Sequence, residues 1–262
     1  MTSESTATKI PAPAILMIIL IGGSFAADSF MRFPVPGTNE PHYLTKARHY
    51  WNPQWCADDF FLESSNAHLF FFQTVGAVTQ VLTLPLTAVL GRFAGFLLLA
   101  IGWYRLINIL CPGFWAPLIT AWFYLANFSG EWIIGGIESK VFAYGFLFLA
   151  LANACEQNWN RAGIYAGLTI TWHPVVGVWS LACSLFALAC LAFFNRKSLD
   201  RKTLVHSLKA AIPALGCLLL CSLPGLVPSL ALLMQGDPKD SFAANFIQVF
   251  YRLKHHLDPM DF

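Results

Sequence analysis

Long apolar runs alternate with short polar segments along the chain. A membrane-spanning helix needs about 20 mostly apolar residues, because each residue advances only about 1.5 Å through the hydrocarbon core. Apolar runs of this kind occupy residues 10–27, 67–90, 93–110, 114–128, 141–154, 162–194 and 210–234. The pattern predicts an all-α, polytopic transmembrane bundle with about seven to nine membrane helices.

The polar segments divide this single transmembrane domain into four parts. We expect a first span at 10–27, an outer loop at 28–66, a helical bundle at 67–234 and an outer tail at 235–262. Pro174 removes a helix hydrogen bond inside the run 162–194, so that run is either kinked or split into two short helices. The same layout would also suit a fragment of a longer chain.

The distribution of basic residues predicts the orientation. Residues 195–209 contain five Lys and Arg against one Asp, which is typical of a cytoplasmic loop. With a cytoplasmic N-terminus, the first loop and the tail then share the outer face. Two crossing patterns satisfy this. In one, the run 162–194 crosses once and Glu138 lies inside. In the other, the run breaks at His173-Pro174 and both Glu138 and His173 lie outside.

Composition excludes a soluble domain. Hydrophobic residues make up 56% of the chain and charged residues only 11%, against roughly 25% charged in soluble proteins. The net charge of +2 is too small to indicate a nucleic-acid partner. The seven cysteines form no C-x-x-C pair, so neither a zinc site nor a disulfide framework is indicated. We therefore expect a multi-pass membrane protein, with membrane lipid as its partner.

Candidate chemistry is concentrated in the first loop. Its carboxylates can act as general bases or direct a metal, so we predict catalytic roles for Glu40, Asp58 and Asp59. We predict substrate contacts for His42 and Arg48. Surface salt bridges in a solvated loop are the alternative. A divalent metal on the loop's histidines and carboxylates would be chemically reasonable, but their spacing assigns no ligand set, so the cofactor stays open.

Further ionisable residues lie outside this loop. Glu138 and Lys140 follow Gly135-Gly136, and His173 interrupts an apolar run, where ionisable groups usually line a functional cavity. The additional residues predicted to contact substrate phosphate or sugar are Glu138, Lys140, His173, Arg252, His255 and His256. The alternatives are helix capping, packing, snorkelling and contact with anionic lipid headgroups.

The first loop carries a resemblance to a known family. Asn39-Glu40-Pro41-His42-Tyr43 resembles the Asp-Glu-x-His-Phe pattern of the protein mannosyltransferase branch of the type C membrane glycosyltransferases. Residues 60–63, with His68 beyond them, are similar in character to a second pattern of that loop. The Asp58-Asp59 pair matches the family's acidic pair in type. Because Asn39 stands where that branch has an aspartate, the role of base would move to Glu40 or to the Asp58-Asp59 pair.

The resemblance implies transfer of a sugar from a polyprenyl-phosphate donor, by inverting displacement, at the outer face of the membrane. The motif at 39–43, the segment 135–140 and His255-His256 are also similar to segments of bacterial multi-pass proteins that bring no established activity. This second resemblance implies a bacterial inner membrane as the location. Whether the chain is an enzyme stays open. A transporter and a non-catalytic component of cell-envelope assembly are the alternatives, although almost purely apolar spans with polar groups on one face favour an enzyme.

Overall fold

The computed structural model describes residues 11–37, 39–66, 68–127, 131–194, 201–235 and 238–252. Within these ranges the chain is helical and contains no strand, so the prediction of an all-α fold is confirmed. The helices are α1 (Ala12–Arg32), α2 (Glu40–Trp51), α3 (Phe60–Glu63), α4 (Leu69–Gln73), α5 (Leu84–Leu110), α6 (Ala116–Asn127), α7 (Glu131–Ile134), α8 (Ser139–Cys155), α9 (Trp159–Trp172), α10 (Pro174–Phe194), α11 (Arg201–Gln235) and α12 (Pro238–Ile247). A 3-10 segment, Val75–Gln80, precedes α5, and a π-helical turn, Gln248–Arg252, follows α12.

Several of these helices have the length and apolar character of membrane spans. Among the described residues, α1, α5, α10 and Ala211–Gln235 of α11 are long and apolar enough to cross a bilayer. The apolar helix α8 has 17 residues, whereas α9 has 14 and α6 has 12. The chain is therefore a helical integral membrane protein, and the number of seven to nine spans stays a prediction.

The structure differs from the sequence prediction between residues 67 and 110. The predicted apolar runs 67–90 and 93–110 are not two spans, because α4 and the 3-10 segment end before a single long α5 begins. Thr83 sets that beginning. Its hydroxyl accepts a hydrogen bond from the Leu86 N–H at 3.4 Å, and Pro85 occupies the first turn, where a missing N–H costs nothing.

The run 162–194 is split at Pro174. Helix α9 ends at Trp172, and His173 is extended, with φ −147° and ψ 94°, because a residue before proline is disfavoured in the helical region. The His173 Nδ1 then accepts a hydrogen bond from the Val176 N–H at 3.3 Å, which caps the new helix. Of the two alternatives left open, kink or split, the structure shows the split.

Two apolar clusters hold the bundle and the first loop together. Met17, Ile21 and Phe25 of α1 pack against Phe96 and Leu99 of α5 in the larger cluster. The second cluster joins the loop to the bundle. In this cluster Leu44 and Ala47 of α2 are buried with Phe71 of α4, Ala88 of α5 and Phe142 of α8. Helix α2 of the first loop is thus packed onto α4, α5 and α8, close to the polar residues described below.

Helix α9 approaches α11 closely through glycines. A Cβ atom added at Gly167 would lie 2.5 Å from the Leu218 carbonyl oxygen and 2.6 Å from the Cys221 Cβ. In contrast, a Cβ atom at Gly216 of α11 would meet no atom within 4 Å. Small residues allow such close packing between membrane helices.

We predict opposite effects of alanine at these two glycines. Gly167→Ala should destabilise the protein by about 1–3 kcal/mol, because the methyl group overlaps backbone that cannot move independently. Gly216→Ala should leave stability unchanged or raise it by up to about 1 kcal/mol through helix propensity. Thermal unfolding in detergent measures both, and equal melting temperatures would contradict the described packing of α9 on α11.

Candidate functional site

A buried ion pair fastens the first loop to the bundle. Glu40 and Arg92 are both fully buried, and the Arg92 Nε and Nη2 atoms each donate a 2.7 Å hydrogen bond to a different Glu40 oxygen. The backbone N–H groups of Gly37 and Ile137 donate to the same carboxylate at 2.8 and 2.7 Å. Four donors therefore satisfy the charge, which is the condition under which a buried carboxylate is tolerated.

Arg92 also reaches the end of the first membrane helix. Its guanidinium donates to the carbonyl oxygens of Phe33 at 3.4 Å and Pro34 at 2.6 Å, and it lies 5.1 Å from the centre of the Phe30 ring. Arg92 thereby holds the end of α1 and the start of α2, and its partner Glu40 holds the segment before α8.

Gly136 permits this arrangement. A Cβ atom at Gly136 would lie 2.7 Å from the Glu40 Cγ and 2.9 Å from the Glu40 Oε1. Any other residue at position 136 would push the backbone away from the carboxylate, so Gly136 is explained by close approach rather than by a turn.

Beside this ion pair lies a set of polar residues from four segments, which we call the polar cluster. It brings together the start of α2, the residue before α4, the start of α8 and the break between α9 and α10. Its members are Asn39, Tyr43, His68, Glu138, Ser139, Lys140 and His173.

Glu138 links two sides of the polar cluster. Its Oε1 accepts a hydrogen bond from the Asn39 amide at 3.1 Å, and its Oε2 lies 3.0 Å from the Lys140 ammonium. Glu138 is only 2% exposed. Burial raises the pKa of this carboxyl above its ordinary value, whereas Lys140 and the Asn39 hydrogen bond act in the opposite direction.

Ser139 joins the other members. Its hydroxyl lies 3.2 Å from the His68 Nδ1 and 3.5 Å from the Tyr43 hydroxyl, and the rings of His68 and His173 are 4.8 Å apart. Burial lowers the pKa of His68 to about 4 and that of His173, which lies between helices, to about 3. Burial also raises the pKa of Tyr43 to about 12. Both imidazoles are therefore neutral at pH 7, as the desolvation of a charged ring requires.

These side chains can move a proton. At neutral pH the polar cluster combines a carboxyl group of raised pKa, one ammonium, two neutral imidazoles and two hydroxyls. Titratable groups with shifted pKa values that converge from separate segments are typical of functional sites, although structural networks shift pKa values as well.

The acidic pair of the first loop has local backbone contacts. The Asp59 carboxylate caps α3 by accepting a hydrogen bond from the Leu62 N–H at 2.9 Å. Asp58 is exposed at a φ of 66°, and its N–H donates to the Glu63 Oε1 at 2.9 Å. Their catalytic roles stay predictions.

The predicted substrate contacts His42 and Arg48 lie against aromatic rings of the loop. The exposed His42 ring meets Phe61 edge-on, with 5.4 Å between ring centres, and the Arg48 guanidinium lies 5.2 Å from the centre of the Trp55 ring. Arg252 ends the π-helical turn, and His255 and His256 fall outside the described residues. The expected meeting of the first loop and the tail is thus untested.

The structure adds residues that were not predicted. Arg92, Tyr43, His68 and Ser139 are absent from the predicted set, and Lys46 is too. The Lys46 ammonium donates to the carbonyl oxygens of Phe61 and Ser65 at 3.1 and 3.3 Å. Arg92 had one signal in the sequence, since a charged residue between two apolar runs needs a buried partner or a polar surface.

In the described part of the chain, no group of three or more His, Cys, Asp or Glu side chains is placed to bind a metal ion.

No protein-family model, curated protein or solved structure matches the chain. The geometry above and the short motif of the first loop are therefore the basis for a functional proposal.

We predict that acid destabilises the fold through the partly buried imidazoles of His68 and His173, whose pKa values are lowered. Between pH 6.5 and about 4 the unfolded chain binds protons that the folded His68 does not, so this stability is complete above pH 6.5 and is lost as the pH falls. Lowering the pH from 7.5 to 5 should cost about 2 kcal/mol per imidazole. The raised pKa of Glu138 acts in the opposite direction.

Thermal unfolding in detergent at these two pH values measures the effect. His68→Gln should reduce the loss of stability on acidification, whereas substitution of the exposed His42 by Gln should leave it unchanged. An equal dependence on pH in wild type and His68→Gln would contradict a buried neutral imidazole at this position.

Proposed function

We propose that the protein is a membrane transferase that moves a sugar from a polyprenyl-phosphate donor to an acceptor, with the polar cluster as its reaction centre. The observation that carries this proposal is the juxtaposition of Glu138, Lys140, Ser139 and the two histidines beside apolar helices, held in place by the Glu40–Arg92 pair. The donor class, the outer face and the bacterial inner membrane come from the sequence resemblance and the charge pattern.

The chemistry of this transfer matches the groups in the polar cluster. The acceptor's hydroxyl or amide attacks the anomeric carbon while the bond from that carbon to the phosphate oxygen breaks, which inverts the configuration. The attacking group gives up a proton, and the leaving phosphate gains negative charge. In the proposal Glu138 accepts the proton and the Lys140 ammonium lies against the phosphate.

Glu40 is assigned a different role from the one the sequence favoured. All four of its hydrogen bonds come from groups of the protein itself, and both of its oxygens are buried. Glu40 therefore has no free lone pair that could take a proton from the acceptor substrate. In the proposal Glu40 is a positioning residue and Glu138 is the base. Asn39 stands where the related pattern has an aspartate, and its amide donates a hydrogen bond to the Glu138 carboxylate. The segment before α8 therefore supplies a carboxylate next to the position that the aspartate occupies in the related pattern.

A non-catalytic membrane component is the second candidate. It is favoured by the low exposure of the central side chains, since Glu138 is 2% and Ser139 0% exposed, and by their hydrogen bonds to one another. On this alternative the polar cluster only joins the first loop to α8 and to the break between α9 and α10. The two candidates differ in what removal of the Glu138 charge does to transfer and to stability.

We predict that Glu138→Gln abolishes sugar transfer while the protein still folds. Loss of a general base typically costs 10²–10⁴-fold in rate, and the amide keeps a hydrogen-bonding group of the same shape. The measurement is transfer of radiolabelled sugar from a panel of polyprenyl-phosphate sugars in proteoliposomes, with the melting temperature followed in parallel.

Glu156→Gln is the matched control. Glu156 pairs with Arg105 at 2.6 Å on a partly exposed turn after α8, so its substitution removes the same charge without touching the polar cluster. If the Glu138→Gln variant transferred sugar at the wild-type rate, Glu138 would not be the base. A wild-type protein that transfers sugar from none of the donors, yet melts cooperatively, would favour the non-catalytic role.

A further inference from the structure

An open groove of about 700 Å³ lies in the first loop, between the end of α2 and the turn that leads to α4. This volume falls within the range of about 300–1,000 Å³ that is typical of small-molecule sites. We call it the loop groove. Its polar lining comes mainly from Tyr50, Gln54, Asp58, Glu63, Ser64 and Asn66.

The loop groove is rich in hydrogen-bond acceptors. The Asp58 and Glu63 carboxylates lie on its wall, and no Lys or Arg contributes to the lining, so an anionic ligand such as a phosphate is disfavoured. The Asn66 Oδ1 is buried and accepts no hydrogen bond from the described residues. Because this oxygen is buried, a ligand in the groove does not reach it, and the acceptors open to a ligand are the exposed Asp58 and Glu63 carboxylates.

A hydroxyl-rich ligand fits this lining. Each sugar hydroxyl can donate to a carboxylate or amide oxygen, and the C–H face of a sugar ring can pack on the exposed ring of Tyr50. A bound divalent cation fits less well, because the described residues provide no set of three ligands. We propose that the loop groove binds the saccharide portion of the acceptor substrate, an assignment that rests on the proposed sugar transfer.

Helix α2 places the loop groove within reach of the polar cluster. Tyr43 belongs to the cluster, and Tyr50 lines the groove seven residues later on the same helix. At 1.5 Å per residue these positions are about 10 Å apart along the axis, a distance that a short oligosaccharide spans. Lys46, between them, holds the groove's far wall through the carbonyl oxygens of Phe61 and Ser65.

The first experiment is binding of the full-length protein in nanodiscs to an array of neutral and acidic glycans. The best neutral glycan is then titrated by tryptophan fluorescence, since Trp51 and Trp55 are in the same loop. Asp58→Asn and Glu63→Gln should each weaken binding at least tenfold, because each removes a carboxylate that lines the groove. The Glu156→Gln control should bind as wild type does.

Three results would overturn the assignment: binding to no glycan, glycan binding that neither groove substitution weakens, or stronger binding of spermidine than of every neutral glycan. The Glu138→Gln variant separates this inference from the proposed function. It should lose transfer yet still bind glycan in a manner that the groove substitutions weaken, because Glu138 does not line the groove. Groove-dependent glycan binding by a wild-type protein that transfers no sugar would refute the proposed function and the acceptor role, and would leave a saccharide-binding site.

Discussion

The ion pair between Glu40 and Arg92 is the constraint on which the rest of the structure depends. An arginine within an apolar membrane helix is unfavourable unless its charge is paired and each nitrogen of its guanidinium is hydrogen-bonded. Arg92 meets this condition with the Glu40 carboxylate and two carbonyl oxygens at the end of α1. Because the Arg92 charge must be paired, its contact with Glu40 determines the position of the first loop. The loop is thereby held against one end of the bundle.

The polar cluster follows from that placement. Because Glu40 also accepts from the Ile137 N–H, the segment before α8 is drawn against the start of α2, and Glu138 comes within hydrogen-bonding distance of Asn39. The break at His173-Pro174 adds an imidazole from the other side. Burial then shifts the pKa values of these groups, so the packing that builds the fold also prepares the groups that we propose for proton transfer and phosphate binding.

The parts of the fold that depend on local patterns could be predicted from the sequence. Apolar runs predict helices because a bilayer leaves no other partner for backbone groups, and Pro174 predicts a kink or a break in its helix because it lacks an N–H. Glu138, Lys140 and His173 were predicted as site residues from their unusual surroundings, and the structure brings them together; whether they bind substrate is untested. The extent of α5 could not be predicted, because apolar residues continue across the capping signal at Thr83-Pro85.

The residues that depend on distant contacts could not be predicted. Nothing near Arg92 in the sequence indicates a partner 52 positions away, so Glu40 looked like a free carboxylate at the surface.

The most direct test of the account is a double-mutant cycle with Glu40→Gln, Arg92→Met and both together, using the free energy of unfolding in mixed micelles. Each single variant should lose about 3–5 kcal/mol, and the double variant should be at least about 2 kcal/mol more stable than the sum of the two losses implies. Losses that add to within about 0.5 kcal/mol would show that the two side chains do not interact, and the account would be wrong.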